Sequence, residues 1–468
     1  AMMTGMALPA FAGTYDIAKG SIEIHAKEGS NFITQWLDEN RTEYYSDSRG
    51  RFDGTYEDTD NNITINDSNS GSGTSTRNTV TINAEKGQTA NVTLDNVEIN
   101  ASSTGQAAVN VTGSGDTNIE LNGNNTLTSG SGHAGLEHNK ETNSEGKETS
   151  GKLTITDTDG NGSLCATGTR GGAGIGGGDG KDGQVTITGG EITAKATGNY
   201  GAGIGGGSGG DGTVTISGGT ITEASGGYMA AGIGSGLQGQ GTVTIEGDAV
   251  IKNAQGGEEG AGIGSGAFGD SEIIIRGNAI IENAESKTGG AGIGSGQGVV
   301  HYDGDTWEMI IDKKTVGNVT IEGNAKIENA KSGDGGSGIG GGPIGIGNVI
   351  IRGNAQIGNA TGGGEGAGIG GGVYGTGDVT IEGNVTIQNA QGGMGAAGIG
   401  GGAESQPDVD GNGNETGNKI SIQGTEAGSP NITAQGGAAS DDGQLSGGAA
   451  IGSGSVISGQ EKAKAAIT

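Results

Sequence analysis

One glycine-rich phrase recurs nine times in this chain: a small residue, then Gly-Ile-Gly or Ala-Ile-Gly, then more Gly or Ser. It reads GAGIGGG at 172–178 and 201–207, and AAIGSG at 449–454. The central isoleucines are Ile175, Ile204, Ile233, Ile263, Ile293, Ile339, Ile369, Ile399 and Ile451. By subtraction, their spacings are 29, 29, 30, 30, 46, 30, 30 and 52 residues. A fixed period of about 30 residues indicates a solenoid, in which each repeat forms one turn of the chain.

The composition favours a thin core. The chain has 468 residues, of which 109 are Gly and only 3% are aromatic, so a compact globule of this length would lack large side chains to fill its interior. A solenoid needs less, because each repeat buries its inner face against its neighbours. Collagen is excluded because the chain has no Gly-X-Y period and only 4 Pro.

One repeat, residues 377–402, shows how the coil is built. It reads GDVTIEGNVTIQNAQGGMGAAGIGGG and holds three strand-like pieces separated by Gly or Asn turns. We therefore predict an all-β fold, a right-handed parallel β-helix with three faces and coils about 4.8 Å apart. The residues predicted to point inward are Val379, Ile381, Val385, Ile387, Ala397 and Ile399. The Gly residues of the third face would either expose bare backbone or form bends that require positive φ.

Aligned columns of outward residues test this prediction. The residue after each VTI-like piece alternates in charge, through Glu246, Arg276, Glu322, Arg352 and Glu382. Two columns of Asn accompany it. One is Asn278, Asn324, Asn354 and Asn384, with Asp248 leading, and the other is Asn253, Asn283, Asn329, Asn359 and Asn389. If the coils stack in register, opposite charges meet along one face and the amides hydrogen-bond along the axis.

The chain divides into five predicted segments: a signal-peptide remnant at 1–12, an N-terminal cap at 13–60, irregular coils at 61–165, regular repeats at 166–458, and a tail or linker at 459–468. The first ends in Ala10-Phe11-Ala12, which fits a signal-peptidase site, so we expect a secreted or extracellular cell-surface protein. The alternative for residues 13–60 is a separate sugar-binding module. Within the cap, residues 30–45 are predicted to form a short helix. Residues 132–152 are predicted to form a charged, polar loop. The single cysteine, Cys165, is predicted to be a small buried side chain of a strand.

The charge of the chain limits its partners. The net charge is −30, which argues against nucleic acid and against insertion into or binding to an anionic membrane. No run reaches the ~18 apolar residues of a membrane-spanning helix. A strongly acidic surface is compatible with calcium, and a polyanionic ligand would need bridging cations or a local basic patch.

An insertion after Ile293, QGVVHYDGDTWEMIIDKK, has two apolar arms around Asp303-Gly304 and is predicted to be a β-hairpin. It brings aromatic residues to an aromatic-poor surface, and in neighbouring repeats an aromatic residue lies five positions after the central isoleucine. The candidate carbohydrate-binding residues are Phe268, His301, Tyr302, Trp307 and Tyr374. A row of aromatic rings can stack against the apolar C–H faces of sugar units. The alternative is that these rings only cover coil ends.

Two Asp-rich turns, DTDGNG at 157–162 and DVDGNGNE at 408–415, fit the first half of a calcium loop. The candidate metal ligands are Asp157, Asp159, Asn161, Asp408, Asp410 and Asn412. The twelfth position of each loop is Gly168 or Lys419 rather than Glu, so neither is an EF-hand. The alternative is an ordinary Asp/Asn-Gly turn.

Catalytic signatures are sparse. The chain has four His and no NTD, GHG or RIK phrase of the kind found in β-helix pectin hydrolases. No nucleophile, base and orienting residue can be grouped by spacing. We therefore do not expect an enzyme.

The phrases SGSGHAGLEHNK and GKLTITDTDGNGSL, together with the GAGIGGG repeats, resemble secreted β-helix proteins of clostridial gut and cellulolytic bacteria. These include a carbohydrate-binding family that binds polygalacturonate and uses calcium. The resemblance implies a protein that binds a polysaccharide or glycoconjugate without cleaving it. Two alternatives stay open: a structural or adhesive stalk that binds a host or bacterial surface protein, and a polysaccharide lyase or glycoside hydrolase.

Overall fold

The computed structural model describes residues 13–36, 56–59, 62–198, 200–405, 408–409, 415–457 and 465–468. In these residues the chain winds into a right-handed parallel β-helix with three long sheets, as the period predicts. The predicted signal-peptide remnant at 1–12 lies outside the described residues. The helical structure described is one 3-10 turn, Ile17–Lys19.

From Glu98 onward, a typical coil contributes a strand to each of three sheets; the strands of each sheet are given below in their spatial order. Sheet 1 contains Thr14–Asp16, Ile63–Asn66, Thr89–Asp95, Asp116–Asn122, Leu153–Thr156, Gly183–Ile187, Gly212–Ile216, Gly241–Ile245, Ser271–Ile275, Thr315–Ile321, Gly345–Gly353, Gly377–Gly383, Asn418–Gln423 and Ala465–Ile467. Sheet 2 contains Glu98–Asn100, Asn124–Ser131, Ser163–Thr169, Glu191–Ala196, Thr220–Ser225, Val250–Ile251 with Ala254–Gln255, Ile280–Glu285, Lys326–Lys331, Gln356–Thr361, Thr386–Gln391 and Asn431–Gln435. Sheet 3 contains Tyr56–Asp58, Ser30–Trp36, Ser21–Lys27, Val80–Ala84, Val109–Gly113, Leu136–His138, Ile175–Gly176, Ile204–Gly205, Ile233–Gly234, Ile263–Gly264, Ile293–Gly294, Ile339–Gly340, Ile369–Gly370, Ile399–Gly400 and Ile451–Gly452.

The core is a set of aliphatic columns along the helix axis. All six residues predicted to point inward from 377–402 are buried. Most of their partners in register are the same residue types one coil away, for example Val349 with Val379 and Ile351 with Ile381. Because aliphatic side chains stack on one another from coil to coil, few aromatic residues are needed to exclude water from the interior.

The predicted outer columns are confirmed. Arg276 Nε donates to Glu246 Oε2 at 2.7 Å, and Arg352 Nε donates to Glu322 Oε2 at 2.8 Å. The amides hydrogen-bond from coil to coil: Asn324 Nδ2 donates to Asn278 Oδ1 at 3.1 Å. The second column behaves in the same way, as Asn359 Nδ2 donates to Asn329 Oδ1 at 3.0 Å. The ion pairs are exposed and add little stability, but a slip of one coil would bring like charges together.

The Ile-Gly pairs of sheet 3 are bends, and they do not expose bare backbone. The Gly residues have φ between 129° and 147° from Gly176 to Gly452, and they are buried. A Cβ on Gly264 would also meet the Gly294 carbonyl of the next coil well inside van der Waals contact. Glycine is therefore required here for two reasons: its backbone conformation and the close stacking of the coils. Of the two interpretations of these Gly residues, the tight bend is the one the structure supports.

The N-terminal segment contradicts one prediction. Ser30–Trp36 is a strand antiparallel to Ser21–Lys27, not the start of a helix. The physical reason is its alternation, because Asn31, Ile33 and Gln35 are buried while Phe32 and Thr34 are partly exposed. This hairpin lies at the N-terminal end of sheet 3, where Ser21–Lys27 pairs in parallel with Val80–Ala84. Residues 37–55 of the predicted helix and cap lie outside the described residues.

Three further predictions need correction. The predicted loop at 132–152 contains strand Leu136–His138, and Leu136 pairs with Ile175, so HAGLE is another form of the glycine-rich phrase. Cys165 is only partly buried, because it faces outward between the buried Leu164 and Ala166. Ala465–Ile467 of the predicted tail pairs with Asn418–Gln423 in sheet 1.

Candidate functional site

The loop before each Ile-Gly pair and the loop after it pack against each other on the outer side of the bend. Within one coil, Ala231 N donates to Ser235 O at 3.0 Å across the bend. Between coils, Leu237 N donates to Tyr200 O at 3.1 Å, which ties the loop after one bend to the loop before the previous bend. We call these paired loops the ridge; in the coil of Ile233 they are 226–231 and 235–240. The ridge follows the regular repeats along one edge of the β-helix.

One column of the ridge has a left-handed backbone. Five positions after the central isoleucine, φ is 65° at Gln238, 67° at Phe268, 60° at Ile344, 61° at Tyr374 and 55° at Glu404. Phe268 N donates to Gln297 O of the next coil at 2.7 Å, and Tyr374 N donates to Ala403 O at 2.9 Å. The predicted alignment of Phe268 with Tyr374 is therefore present. The two rings are three coils apart, which is about 14 Å, and both are partly buried.

The inserted hairpin projects from the ridge between these two residues. Val299–Tyr302 pairs antiparallel with Met309–Lys313, as predicted. The Asp303 carboxylate fixes the turn by accepting from the backbone N–H of Asp305 and of Thr306, both at 2.8 Å. His301 lies 2.8 Å from the Asp312 carboxylate. Tyr302 is 61% exposed and Trp307 is 79% exposed, which makes Trp307 the most exposed large apolar side chain described.

The hairpin is connected to both ridge aromatics. Lys313 Nζ at its base donates to the Phe268 carbonyl at 3.1 Å. Tyr302 interacts electrostatically with Tyr374, and burial together with Glu404, Glu365 and the Tyr302 phenol raises the pKa of Tyr374 to about 12. The Tyr374 hydroxyl therefore stays protonated and can donate a hydrogen bond at neutral pH. The structure thus places the five sequence-predicted residues along one stretch of the ridge.

Two aromatic residues of the ridge were not among the predicted site residues. Tyr200 and Tyr228 stack edge to face, with ring centroids 6.2 Å apart and planes at 67°. They precede Ile204 and Ile233 by four and five positions. An aromatic residue at a near-constant distance before the phrase was therefore the pattern that could have identified them. The prediction considered only the loop after the phrase, because the two loops are adjacent only in the folded coil.

In the structure, a third carboxylate lies beside the predicted calcium turn at 157–162. Oxygens of Glu120, Asp157 and Asp159 lie within 4.8 Å of one another. Glu120 was missed because it comes from the preceding coil of sheet 1. The turn also uses these oxygens itself: Thr158 N donates to Glu120 Oε1 at 2.6 Å and Gly160 N donates to Asp157 Oδ1 at 3.0 Å.

The third predicted ligand of this turn, Asn161, donates its Nδ2 to Asp159 Oδ2 at 2.8 Å. In the second predicted turn, the backbone of Asp408–Val409 pairs antiparallel with Glu415–Thr416. The positions of Asp410 and Asn412 lie outside the described residues, as does the side chain of Asp408.

The histidines of residues 132–152 have structural partners. His133 Nδ1 lies 2.8 Å from Glu137 Oε2, and Ala134 N donates to the same oxygen at 3.0 Å. The Glu137 carboxylate raises the pKa of His133. His138 is buried, its Nδ1 lies 2.8 Å from the Gln184 carbonyl, and its burial lowers its pKa.

Comparison with known proteins agrees with the fold. Residues 185–208, 214–237 and 243–267 match a family model described as the beta helix repeat. These matches agree with the parallel β-helix fold that the structure shows. No curated protein and no solved structure matches the chain significantly. Among the described residues, no helix combines the length and the hydropathy needed to span a membrane.

Proposed function

We propose that this protein is an extracellular β-helix that binds a polysaccharide or glycoconjugate on its ridge without cleaving it. The observation that carries the proposal is the exposure of Tyr302 and Trp307 on a hairpin that projects between Phe268 and Tyr374. Single exposed apolar side chains are common on a soluble surface, but exposed apolar side chains grouped on one projection mark an interaction site. Here they stand on a chain in which only 3% of residues are aromatic.

The scaffold suits an extended ligand. The ridge backbone is hydrogen-bonded from coil to coil, so its aromatic residues keep a fixed spacing along the axis. Sugar rings present apolar C–H faces that stack on aromatic rings, and polar rims that bind hydroxyls and amides. Rigid placement of aromatic residues lowers the conformational entropy lost on binding. The ligand would therefore lie along the ridge, with Trp307 over one of its sugar units.

Trp307→Ala should weaken glycan binding by about tenfold or more, the effect expected when an aromatic anchor of an interface is removed. A glycan array with pectin-like and host-type glycans would find the ligand, and calorimetry would then give the affinities of the variants. Ile350→Ala is the matched control, because it also removes an exposed apolar side chain but lies on the outer face of sheet 1. If wild type and Trp307→Ala bind glycans equally well, the proposed binding site around Trp307 is wrong. An absence of all glycan binding would favour the stalk that binds a surface protein.

We also propose that Glu120, Asp157 and Asp159 bind calcium and hold the coils on either side in register. Three carboxylates from two adjacent coils suit a hard cation. Millimolar calcium should raise the melting temperature of the wild type, because the ion binds only the folded chain. Asp157→Asn should remove most of that increase, whereas Asp334→Asn, in the ridge, should retain it. A calcium-dependent increase that survives Asp157→Asn would contradict this site.

A further inference from the structure

A cleft of about 350 Å³ lies at the C-terminal end of the ridge. Four carboxylates line it, from Glu365, Glu404, Asp441 and Asp442, and its apolar wall includes Met394 and Leu445. No Lys or Arg is among the described residues that line it. The cleft therefore combines concentrated negative charge with an apolar surface.

Glu404 is the residue that points to a ligand. It is only 7% exposed, yet its carboxylate has no hydrogen-bond or ion-pair partner among the residues that the structure describes. Its backbone is fixed, because Glu404 N donates to Ser455 O at 2.6 Å and Ala403 N donates to Glu365 O at 2.8 Å. A carboxylate in a residue with so little exposure loses part of its hydration, and a bound cation would offset that cost.

The neighbouring charges leave this cost uncompensated. Burial and the nearby Glu365 carboxylate raise the pKa of Glu404, while burial and Asp334 raise the pKa of Glu365. Asp442 is different: Ser440 Oγ and Gln444 N both donate to it, and these hydrogen bonds lower its pKa. Among the described residues that line the cleft, none therefore supplies a counter-charge to Glu365 and Glu404.

The shape of the cleft favours an organic cation over a metal ion. Among the described residues, three carboxylates converge closely enough for one ion only at Glu120, Asp157 and Asp159. The cleft carboxylates are spread around a larger space with apolar walls. An ammonium group offers three donors that separate carboxylates can share, and the carbon body that carries it can contact Met394 and Leu445.

We propose that this cleft binds a protonated primary amine carried on a compact organic body. Two sources share this chemistry, a glucosamine unit of a glycan and a free polyamine. Tyr374 lies beside both Glu365 and Glu404, so the cleft continues the aromatic ridge. The glucosamine source therefore rests on the proposed function, whereas the polyamine source does not.

The experiment measures binding of three probes by calorimetry at low salt: a glucosamine tetramer, the N-acetylated tetramer and spermidine. The glucosamine tetramer should bind at least about tenfold more tightly than its N-acetylated form, since acetylation removes the charge. Glu404→Gln should lose that preference, and Glu382→Gln, an exposed carboxylate on sheet 1, should keep it. The Glu404→Gln variant should melt no lower than wild type, because it removes a partly desolvated negative charge that lies near the Glu365 carboxylate.

The outcomes separate the two proposals. Spermidine binding that depends on Glu404, with no glycan bound by any variant, supports the cleft and contradicts the glycan-binding ridge. Glycan binding that depends on Trp307 but shows no preference for amines and no effect of Glu404→Gln contradicts the cleft. Calcium that binds to the cleft through Glu404 while none of the three probes binds would identify a metal site and overturn the proposal.

Discussion

Gly264→Ala should lower the free energy of unfolding by more than about 3 kcal/mol, the range expected when a strained backbone and a steric clash combine. Gly264 has φ of 139°, a conformation that a residue with a Cβ rarely adopts. The added methyl would meet the Gly294 carbonyl and would lie 3.0 Å from Cδ1 of Ile273. Because solenoid stability depends on the interfaces between neighbouring coils, opening this one should destabilise the repeats on both sides. Urea denaturation followed by circular dichroism measures the loss.

Gly209→Ala is the matched control. Gly209 also has positive φ, at 72°, but nothing lies within 4 Å of its added Cβ. It should cost only about 1 kcal/mol, the penalty of the left-handed backbone alone. Equal losses for Gly209→Ala and Gly264→Ala would show that close stacking of the coils is not what requires glycine in the repeated phrase.

Ile351→Ala should cost about 2–5 kcal/mol, the range for a buried large-to-small substitution. Ile351 is fully buried between Ile321 and Ile381 of the adjacent coils. The loss combines the removed apolar contacts with the cavity that two stacked isoleucines cannot fill. Chemical denaturation of the full chain gives the difference in free energy of unfolding.

The neighbouring residue supplies the comparison. Ile350 belongs to the same strand, but it points outward and is 40% exposed. Ile350→Ala should change stability by no more than about 0.5 kcal/mol, as is usual for a surface substitution. A larger loss for Ile350→Ala than for Ile351→Ala would reverse the assignment of inner and outer faces.

Much of the fold could be predicted from the sequence because a solenoid repeats its constraints. The spacing of the isoleucines gave the number of residues per coil, and the parity of Val379 and Ile381 gave the inner face. The charges at Glu246 and Arg276 gave the register, because the two side chains are in contact only when each glycine-rich phrase forms one coil of the stack. Each of these predictions used a pattern repeated several times along the chain.

Features without repetition were harder to predict. The strand at Ser30–Trp36 was predicted to be a helix because its large side chains obscured a short alternation. The phrase around Leu136 was missed because Leu replaces Ile, and Glu137 replaces the following Gly. In both places the tertiary position of the segment, next to an existing sheet, decides its structure.

The site was predictable only along one loop. Phe268 and Tyr374 could be aligned by counting five positions from the isoleucines, and Tyr302 could be placed beside them because it lies in the insertion after Ile293. The approach of Glu365 to Glu404, and of both to Tyr374, depends on the bend at each Ile-Gly pair. That bend brings together the loops before and after the phrase, which the sequence presents as separate segments. The carboxylate of Glu120 was missed for a similar reason, since it belongs to the coil before Asp157.

The most direct test of the stacked coils is a distance between spin labels on one outer column. In sheet 1, Thr242, Glu272, Asn318, Asn348 and Asp378 pair in succession, and Lys419 N donates to the Asp378 carboxylate. Labels at Thr242→Cys and Lys419→Cys, with Cys165→Ser, should be separated by five coils, about 24 Å before the label arms are counted. A narrow distribution near that value is the expected result. A mean distance beyond about twice that value, or a broad distribution, would contradict a β-helix with one coil per glycine-rich phrase.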